Sequence, residues 1–458
     1  MSSYIKEKKS HSYTWLAWLS IALLVANVYH TKLIQILLPF FSVSAIAVLL
    51  VISTVLLLLY FITEKKIRIT ELRFSEIDIM LLLCAVVIIV TSGFDFENIT
   101  YLVRFILLFL LIFLMKYDEK LIKIIIVCVV VASLIHVAAT LFLYFDKDFY
   151  LHHIYPTFNA STRAKLYSWN ILNGYATGLT DHFSANGVLI SIAFISTSVL
   201  LYWNKKKYRW IFAVLTIVSL IALFMTGKRA PLVYTTFAIA VAYVLCNRSP
   251  VLTKLCMAII AALGGVIILF IATQNIESIG ATLERFTAFF NENESTDVSN
   301  GRFMLYGIAW DYFLSAPIFG IGWREFSKRV VVFFHEDTSF RDVHNVFLQL
   351  LCETGVVGFL IFTALFILVF CFTIRLVIRY RRGEIILSES EKLGLVMSVC
   401  AQIYFLCYCM TGNSLYDTSI LYFYMFAVGI VSYIRFQYEK LPALEKAKAK
   451  RRPSRYLR

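Results

Sequence analysis

Residues 121–145 read LIKIIIVCVVVASLIHVAATLFLYF. Apart from Lys123 and His136 the run is apolar or small, with no Gly or Pro to break it. At 1.5 Å per residue such a helix outspans a hydrocarbon core of about 30 Å. The segment reads as a transmembrane helix, and it sets the scale for the rest of the chain. Outward from it, comparable runs lie at 13–30, 43–62, 76–94, 97–116, 185–203, 208–227, 230–246, 253–274, 356–378, 393–411 and 415–435. With 121–145 they make about twelve expected spans. The apolar stretch 31–42 either lengthens the second span or lies in the interface.

Composition agrees. Of 458 residues, 60% are hydrophobic and only 16% charged, where a soluble chain is about a quarter charged. An array of soluble domains, a disordered chain and a secreted disulfide scaffold are all excluded. The nine cysteines sit in or beside apolar runs without any CxxC pair, so neither a zinc site nor a disulfide framework is indicated. The first apolar run is long and lacks a small-residue cleavage site, unlike a signal peptide. The expected class is an all-α polytopic membrane protein.

The net charge of +14 resolves along the chain. Alternate loops carry Lys65, Lys66, Arg68 and Arg73; Lys116, Lys120 and Lys123; Lys205, Lys206, Lys207 and Arg209; and Arg379, Arg381, Arg382 and Lys392. The N-tail holds Lys6, Lys8 and Lys9, and the tail 437–458 adds Lys446, Lys448, Lys450, Arg451, Arg452, Arg455 and Arg458. Loops 92–100 and 412–414 have no Lys or Arg. By the positive-inside rule both termini are cytoplasmic. The charge needs no nucleic acid to explain it, and the tail is suited to membrane lipid head groups.

Three outer segments break that pattern. Lys228 and Arg229 lie in a tight turn, Thr226-Gly227-Lys228-Arg229-Ala230-Pro231. The loop 146–184 holds Lys147, Arg163 and Lys165. The loop 275–355 holds Arg285, Arg302, Arg324, Lys328, Arg329 and Arg341. Cations on the disfavoured side suggest an anionic ligand. The chain therefore divides into 1–274 with nine spans and the outer loop 146–184, a large outer loop 275–355, spans 10–12 over 356–436, and the basic tail 437–458. Within the large loop, Phe303, Tyr306, Ala309, Trp310 and Phe313 have helical spacing, Pro317 ends that helix, and Gly320 and Gly322 mark a turn.

Walker A, GxSxG, HExxH and DxD motifs are missing, and Gly320-Ile321-Gly322 does not extend into a dinucleotide fingerprint. Neither a metal nor a cofactor is expected. What remains is arginine and histidine. Arg229 begins a span and Arg302 begins the loop helix. A guanidinium fits phosphate oxygens bidentately, so the two would clamp a diphosphate, although each alone would also read as a surface arginine meeting lipid phosphates. Arg104 lies a third of the way into its span, where charge is costly and implies a function or a partner. His344, with Asn345, heads an amphipathic helix that runs into the tenth span. A neutral histidine there is a general base. His152, His153, His182 and His335 compete for the role.

These residues carry a resemblance. The run Asn300-Gly301-Arg302, Tyr306, Ala309-Trp310, Pro317-Ile318-Phe319-Gly320-Ile321-Gly322 and Phe326, followed by residues 344–355 (HNVFLQLLCETG), resembles the signature region of the O-antigen ligase and O-antigen polymerase family. Thr226-Gly227-Lys228-Arg229-Ala230 resembles the family's outer-turn arginine, and residues 178–187 (GLTDHFSANG) resemble a segment before a mid-chain span. The resemblance implies a membrane-type, GT-C-like fold and a metal-independent inverting glycosyltransferase. The donor would be a glycan on undecaprenyl diphosphate, used at the outer face of the bacterial cytoplasmic (inner) membrane. Polymerases take the next carrier-linked repeat unit as acceptor and ligases take lipid A-core, and a chain-length regulator protein is an accessory partner of such systems. Carried over, His344 deprotonates the acceptor, while Arg229 and Arg302, with Lys228 and Arg104 as further cations, bind the diphosphate. His335, Asn345, Arg324, Arg341 and Tyr306 are secondary candidates, with His335 an alternative base. Residues 178–187 favour a polymerase of O-antigen, capsule or exopolysaccharide over a ligase. Two other classes are a lipid-linked oligosaccharide flippase, for which the expected inverted repeats and broken midplane helices are not evident, and a scaffold, which would not need the outer arginines.

Overall fold

The structure, a computed structural model, describes residues 13–30, 33–34, 43–64, 72–93, 96–203, 206–247, 249, 302–334 and 342–440. Among them there are helices and no strands. The chain forms α1 (Thr14–Tyr29), α2 (Val43–Thr63), α3 (Glu76–Thr91), α4 (Phe96–Met115), α5 (Lys120–Phe145), α6 (Phe183–Trp203), α7 (Arg209–Met225), α8 (Arg229–Cys246), α9 (Arg302–Ser315), α10 (Glu325–Phe334), α11 (Val346–Arg381), α12 (Glu389–Cys409) and α13 (Thr418–Arg435). Each expected span coincides with one of these helices except 253–274, which lies outside the described residues. Among the described residues, seven helices are long and apolar enough to cross a membrane. Thr14–Tyr29, Arg209–Met225 and the described part of α2 are shorter and also apolar. The protein is thus a multi-pass helical membrane protein. The bounds 275–355 of the large outer loop fall partly outside the described residues, as does the basic tail beyond Lys440.

The helices begin where the sequence provides caps. The Ser75 hydroxyl accepts the Asp78 N–H, and the Asp78 carboxylate accepts the Ser75 N–H. Ser388 and Glu391 form the same box at α12. The Asn345 side chain accepts the Leu348 N–H at 3.1 Å, and Asp417 accepts those of Ser419 and Ile420. α13 is buried along nearly its whole length, packed by α1, α4, α6, α11 and α12. Outward faces are apolar instead: Val51, Val90, Leu360 and Ile367 are exposed, as lipid-facing side chains are in a bilayer.

Polar pairs lock the helices together. Ser20 donates to the Ser53 carbonyl at 2.7 Å and Ser53 to that of Ser20 at 2.8 Å, fastening α1 to α2. Gln402 donates to Thr373 at 2.7 Å between α12 and α11. At one end of the bundle Lys116 is fully buried against Asp78 and also donates to the Arg73 carbonyl at 2.8 Å. The sequence pattern marks Lys116 as a loop charge, but the chain folds it inward as half of an ion pair. Arg435 meets Glu76 at 2.8 Å at the same end. The opposite end gathers the turns after α3, α7 and α12 and the chain before α11, and it carries the site.

Candidate functional site

Three segments build the site's frame. In the loop after α9, Pro317 follows the helix end at Ser315, and the chain then docks on a break in α11. There Gly355 has φ 63, ψ −169, a conformation no other residue adopts cheaply. Ile321 and Gly322 donate their N–H groups to the Cys352 and Glu353 carbonyls, both at 3.0 Å. Val356 donates to Pro317 at 2.9 Å, and Trp323 donates to the Thr91 carbonyl at 2.9 Å. The carbonyls and amides orphaned by the break are thereby satisfied. A Cβ on Gly320 would sit 2.3 Å from the Glu353 carbonyl carbon, and one on Gly355 2.2 Å from the Ile318 oxygen. The glycines expected to mark a turn therefore serve backbone-to-backbone docking.

This docking sets residues 342–345 at the head of α11. Val343 is buried with Leu305, Ala309, Phe326, Val330 and Cys352, which packs α9 and α10 against this loop. His344 follows with φ 59, left-handed and unusual for a residue with a Cβ. Its N–H donates to Asn413 Oδ1 at 3.0 Å, and the Tyr306 hydroxyl lies 3.5 Å from its carbonyl oxygen. Asn413 in turn donates from Nδ2 to Asp342 Oδ2 at 3.0 Å. Gln349 Nε2 reaches Asp342 Oδ1 at 3.3 Å and Glu353 Oε1 at 3.1 Å. Glu353 also accepts the Tyr416 hydroxyl at 2.6 Å and the Arg324 and Phe326 N–H groups at 2.9 and 3.4 Å. A continuous polar chain thus runs from the buried Glu353 to the main chain of His344. Asp342 and Asn413 carry no signal in sequence beyond polarity beside apolar runs, and Gln349 and Glu353 fall in the 344–355 run without a role of their own.

Two cations converge on the histidine. Burial first, and then the charges of Arg302 and Lys228, depress the His344 imidazole to a pKa of about 4. Lys228 heads α8 with its Nζ 4.6 Å above the Phe183 ring. The charge of Arg302 also reaches Tyr408. His182 joins from the turn before α6. It is depressed to about 4 by burial, then by Lys228, Lys165 and His344. The Ser184 N–H donates to His182 Nδ1 at 2.9 Å, which leaves the neutral ring's proton on Nε2. The ring is flanked by Trp169 and Phe183, with centroids at 4.4 and 4.6 Å. Residues 178–187 hold this side in place: Asn186 donates to Thr140 and the Ala176 carbonyl at 2.9 and 3.0 Å. Gly187 packs beside Thr226 and Lys228.

The other expected residues fall as follows. Arg229 is the first residue of α8, next to Lys228 and half-buried. Asn345 is the cap of α11. Arg324 also has φ 59, and its guanidinium pairs with Glu97 at 3.3 Å. Arg104 lies one turn along α4 from Tyr101; its charge reaches Tyr422 of α13, and its Nε has no hydrogen-bond partner among the described residues. His152 and His153 lean on the Asp148 and Phe149 carbonyls at 2.7 and 3.3 Å. His335 and Arg341 lie outside the described residues. Among the described residues, no three His, Cys, Asp or Glu side chains group as metal ligands would.

Fold and site together define a polytopic helical membrane protein with a cation-flanked histidine at one end of its bundle. A protein-family model described as O-antigen ligase matches residues 214–363, a stretch containing Lys228, Arg229, Arg302 and His344. The match covers about a third of the chain and supports the O-antigen ligase/polymerase family. A search of curated proteins found no match.

Proposed function

We propose that this protein transfers glycan from an undecaprenyl-diphosphate carrier at the outer face of the bacterial cytoplasmic membrane, with both termini cytoplasmic, and that it polymerises O-antigen, capsule or exopolysaccharide repeat units. The observation that carries the reading is His344 held left-handed at the head of α11 by Asn413, within electrostatic reach of Arg302 and Lys228. The sugar–phosphate bond of such a donor is already activated, so ATP is not required. As that bond breaks, the leaving diphosphate gains charge, and fixed cations stabilise it without reorganising. Arg229 and Arg302 grip the phosphates bidentately and Lys228 adds a point charge. His344, neutral at physiological pH, takes the proton from the acceptor hydroxyl as it attacks the anomeric carbon from the face opposite the diphosphate, which inverts the linkage. A bound diphosphate counters the two cations and raises the imidazole's basicity at that moment.

The O-antigen ligase description of the matched family favours a second reading, in which the acceptor is lipid A-core. One assay separates the two. Purified protein is given a synthetic undecaprenyl-diphosphate repeat unit without nucleotide. Longer glycan on the carrier supports the polymerase, and product only after addition of lipid A-core supports the ligase. No product with either acceptor, accompanied by carrier movement between leaflets, overturns glycan transfer in favour of a flippase. Activity is expected to survive a chelator. His344→Ala should abolish product while carrier binding remains, and Arg302→Gln should lower the rate on the order of 10²–10³-fold. If His344→Ala stays active, the base lies elsewhere, with His335 and His182 next to be substituted.

A further inference from the structure

We infer that Asn413 and Asp342 are positioning residues for His344, holding its ring in register with Arg302 and Lys228 through the His344 main chain; this rests on the glycan-transfer reading above. His344 occupies the left-handed region, which is strained for a residue with a Cβ. Such a conformation persists only where neighbours over-determine it. Here the neighbour comes from far along the chain: Asn413, in the turn between α12 and α13, accepts the His344 N–H at 3.0 Å. Its amide is oriented by Asp342, two residues before the histidine, at 3.0 Å. With Oδ1 committed to His344 and Nδ2 to Asp342, the Asn413 amide has one sense only. Asp342 is held from the other side by Gln349, which also grips Glu353. The same turn is internally fixed, since the Tyr416 and Asp417 N–H groups both donate to the Asn413 carbonyl at 2.8 Å. The segments 322–326, 342–349 and 413–416 are thereby tied at one point. A base displaced by about 1 Å can lose about 10²-fold in rate without losing the fold, and supporting hydrogen bonds of this kind fix a reactive group's direction.

The arrangement permits a polarity swap. Asn413→Asp sets two carboxylates against each other, and Asp342→Asn sets two amides in that place. The double substitution reverses the donor and acceptor of one hydrogen bond while leaving oxygens for the His344 N–H and for Gln349. With the wild-type full-length protein as reference, each single variant is expected to lower kcat by roughly 10–100-fold with KM for the lipid-linked donor little changed. The double variant should recover to within about fivefold of wild type, as coupled neighbours do in a mutant cycle. An activity-independent readout accompanies it: the rate of diethyl pyrocarbonate modification at His344, read by mass spectrometry, should change in each single variant and return in the double. If a single variant yields no folded protein, the double variant and the milder Asn413→Ser decide. Singles with wild-type kcat and labelling overturn the inference, as do impaired singles with an unrecovered double. A wild-type protein without transfer activity overturns the functional reading instead, and the labelling arm still decides whether the pair positions the ring.

Discussion

His344 owes its place to contacts beyond its own stretch of sequence. The base role proposed for it, and the diphosphate-binding role proposed for Arg302 and Arg229, come from residues 300–355 and the turn at 226–230 through their resemblance to a family. Lys228 reads in sequence only as a further cation for the diphosphate; in the structure its charge also acts on His344. Asn413 reads only as part of a charge-free turn, because nothing local says that a side chain there meets a loop some 70 residues away. The pH dependence is argued at this scale. Burial is the main cause of the depressed imidazole, with Arg302 and Lys228 adding to it. A cation disfavours the imidazolium, so Lys228→Gln raises the His344 pKa. The neutral base is then lost at a higher pH on acidification, and the acid limb of the kcat/KM profile shifts upward. A limb that stays in place or moves to lower pH would show that Lys228 does not act on this histidine.

Among the elements, α9 shows what periodicity delivers: the expected helix at 303–315, stopped by Pro317, is observed at Arg302–Ser315. α11 shows where it fails. The sequence reads as one helix running from the His-Asn head into the tenth span, but the chain breaks at Gly355. Hydropathy is blind to that break, because it reports apolarity and not backbone conformation. Only the approach of the 317–323 loop, which supplies the missing hydrogen-bond partners, makes it stable. Gly355→Ala places a methyl group within 2.2 Å of the Ile318 oxygen in a left-handed backbone. It is expected to cost at least about 2 kcal/mol, seen as a lowered thermal midpoint in detergent. The same change at Gly307, where a Cβ meets nothing within 4 Å, should leave the midpoint unchanged or raise it. Equal midpoints for the two variants would contradict the docking described here.

For the molecule as a whole, class and most span positions followed from hydropathy, because a bilayer imposes length and apolarity on every crossing. How the spans pack did not follow. α13 is no more apolar by sequence than α7, yet it is buried along its length. Its surroundings are a property of helices distant in the chain. The sidedness is testable at this scale. In a cysteine-free background, Thr180→Cys and Ser388→Cys mark the two ends of the bundle. A membrane-impermeant thiol reagent added to intact cells should label the first, and the second only after permeabilisation. The reverse pattern would place the histidine in the cytoplasm and remove the proposed donor from its reach.

The helical segment between His344 and Gly355 acts as a ruler. One end is pinned by the Asn413 turn and the other by the 317–323 loop, so its residue count fixes how the head of α11 is presented to the rest of the site. Inserting a single residue there turns one end against the other by about 100°, and no side-chain adjustment compensates. Chain length can therefore change without disturbing this geometry only in loops outside the ruler.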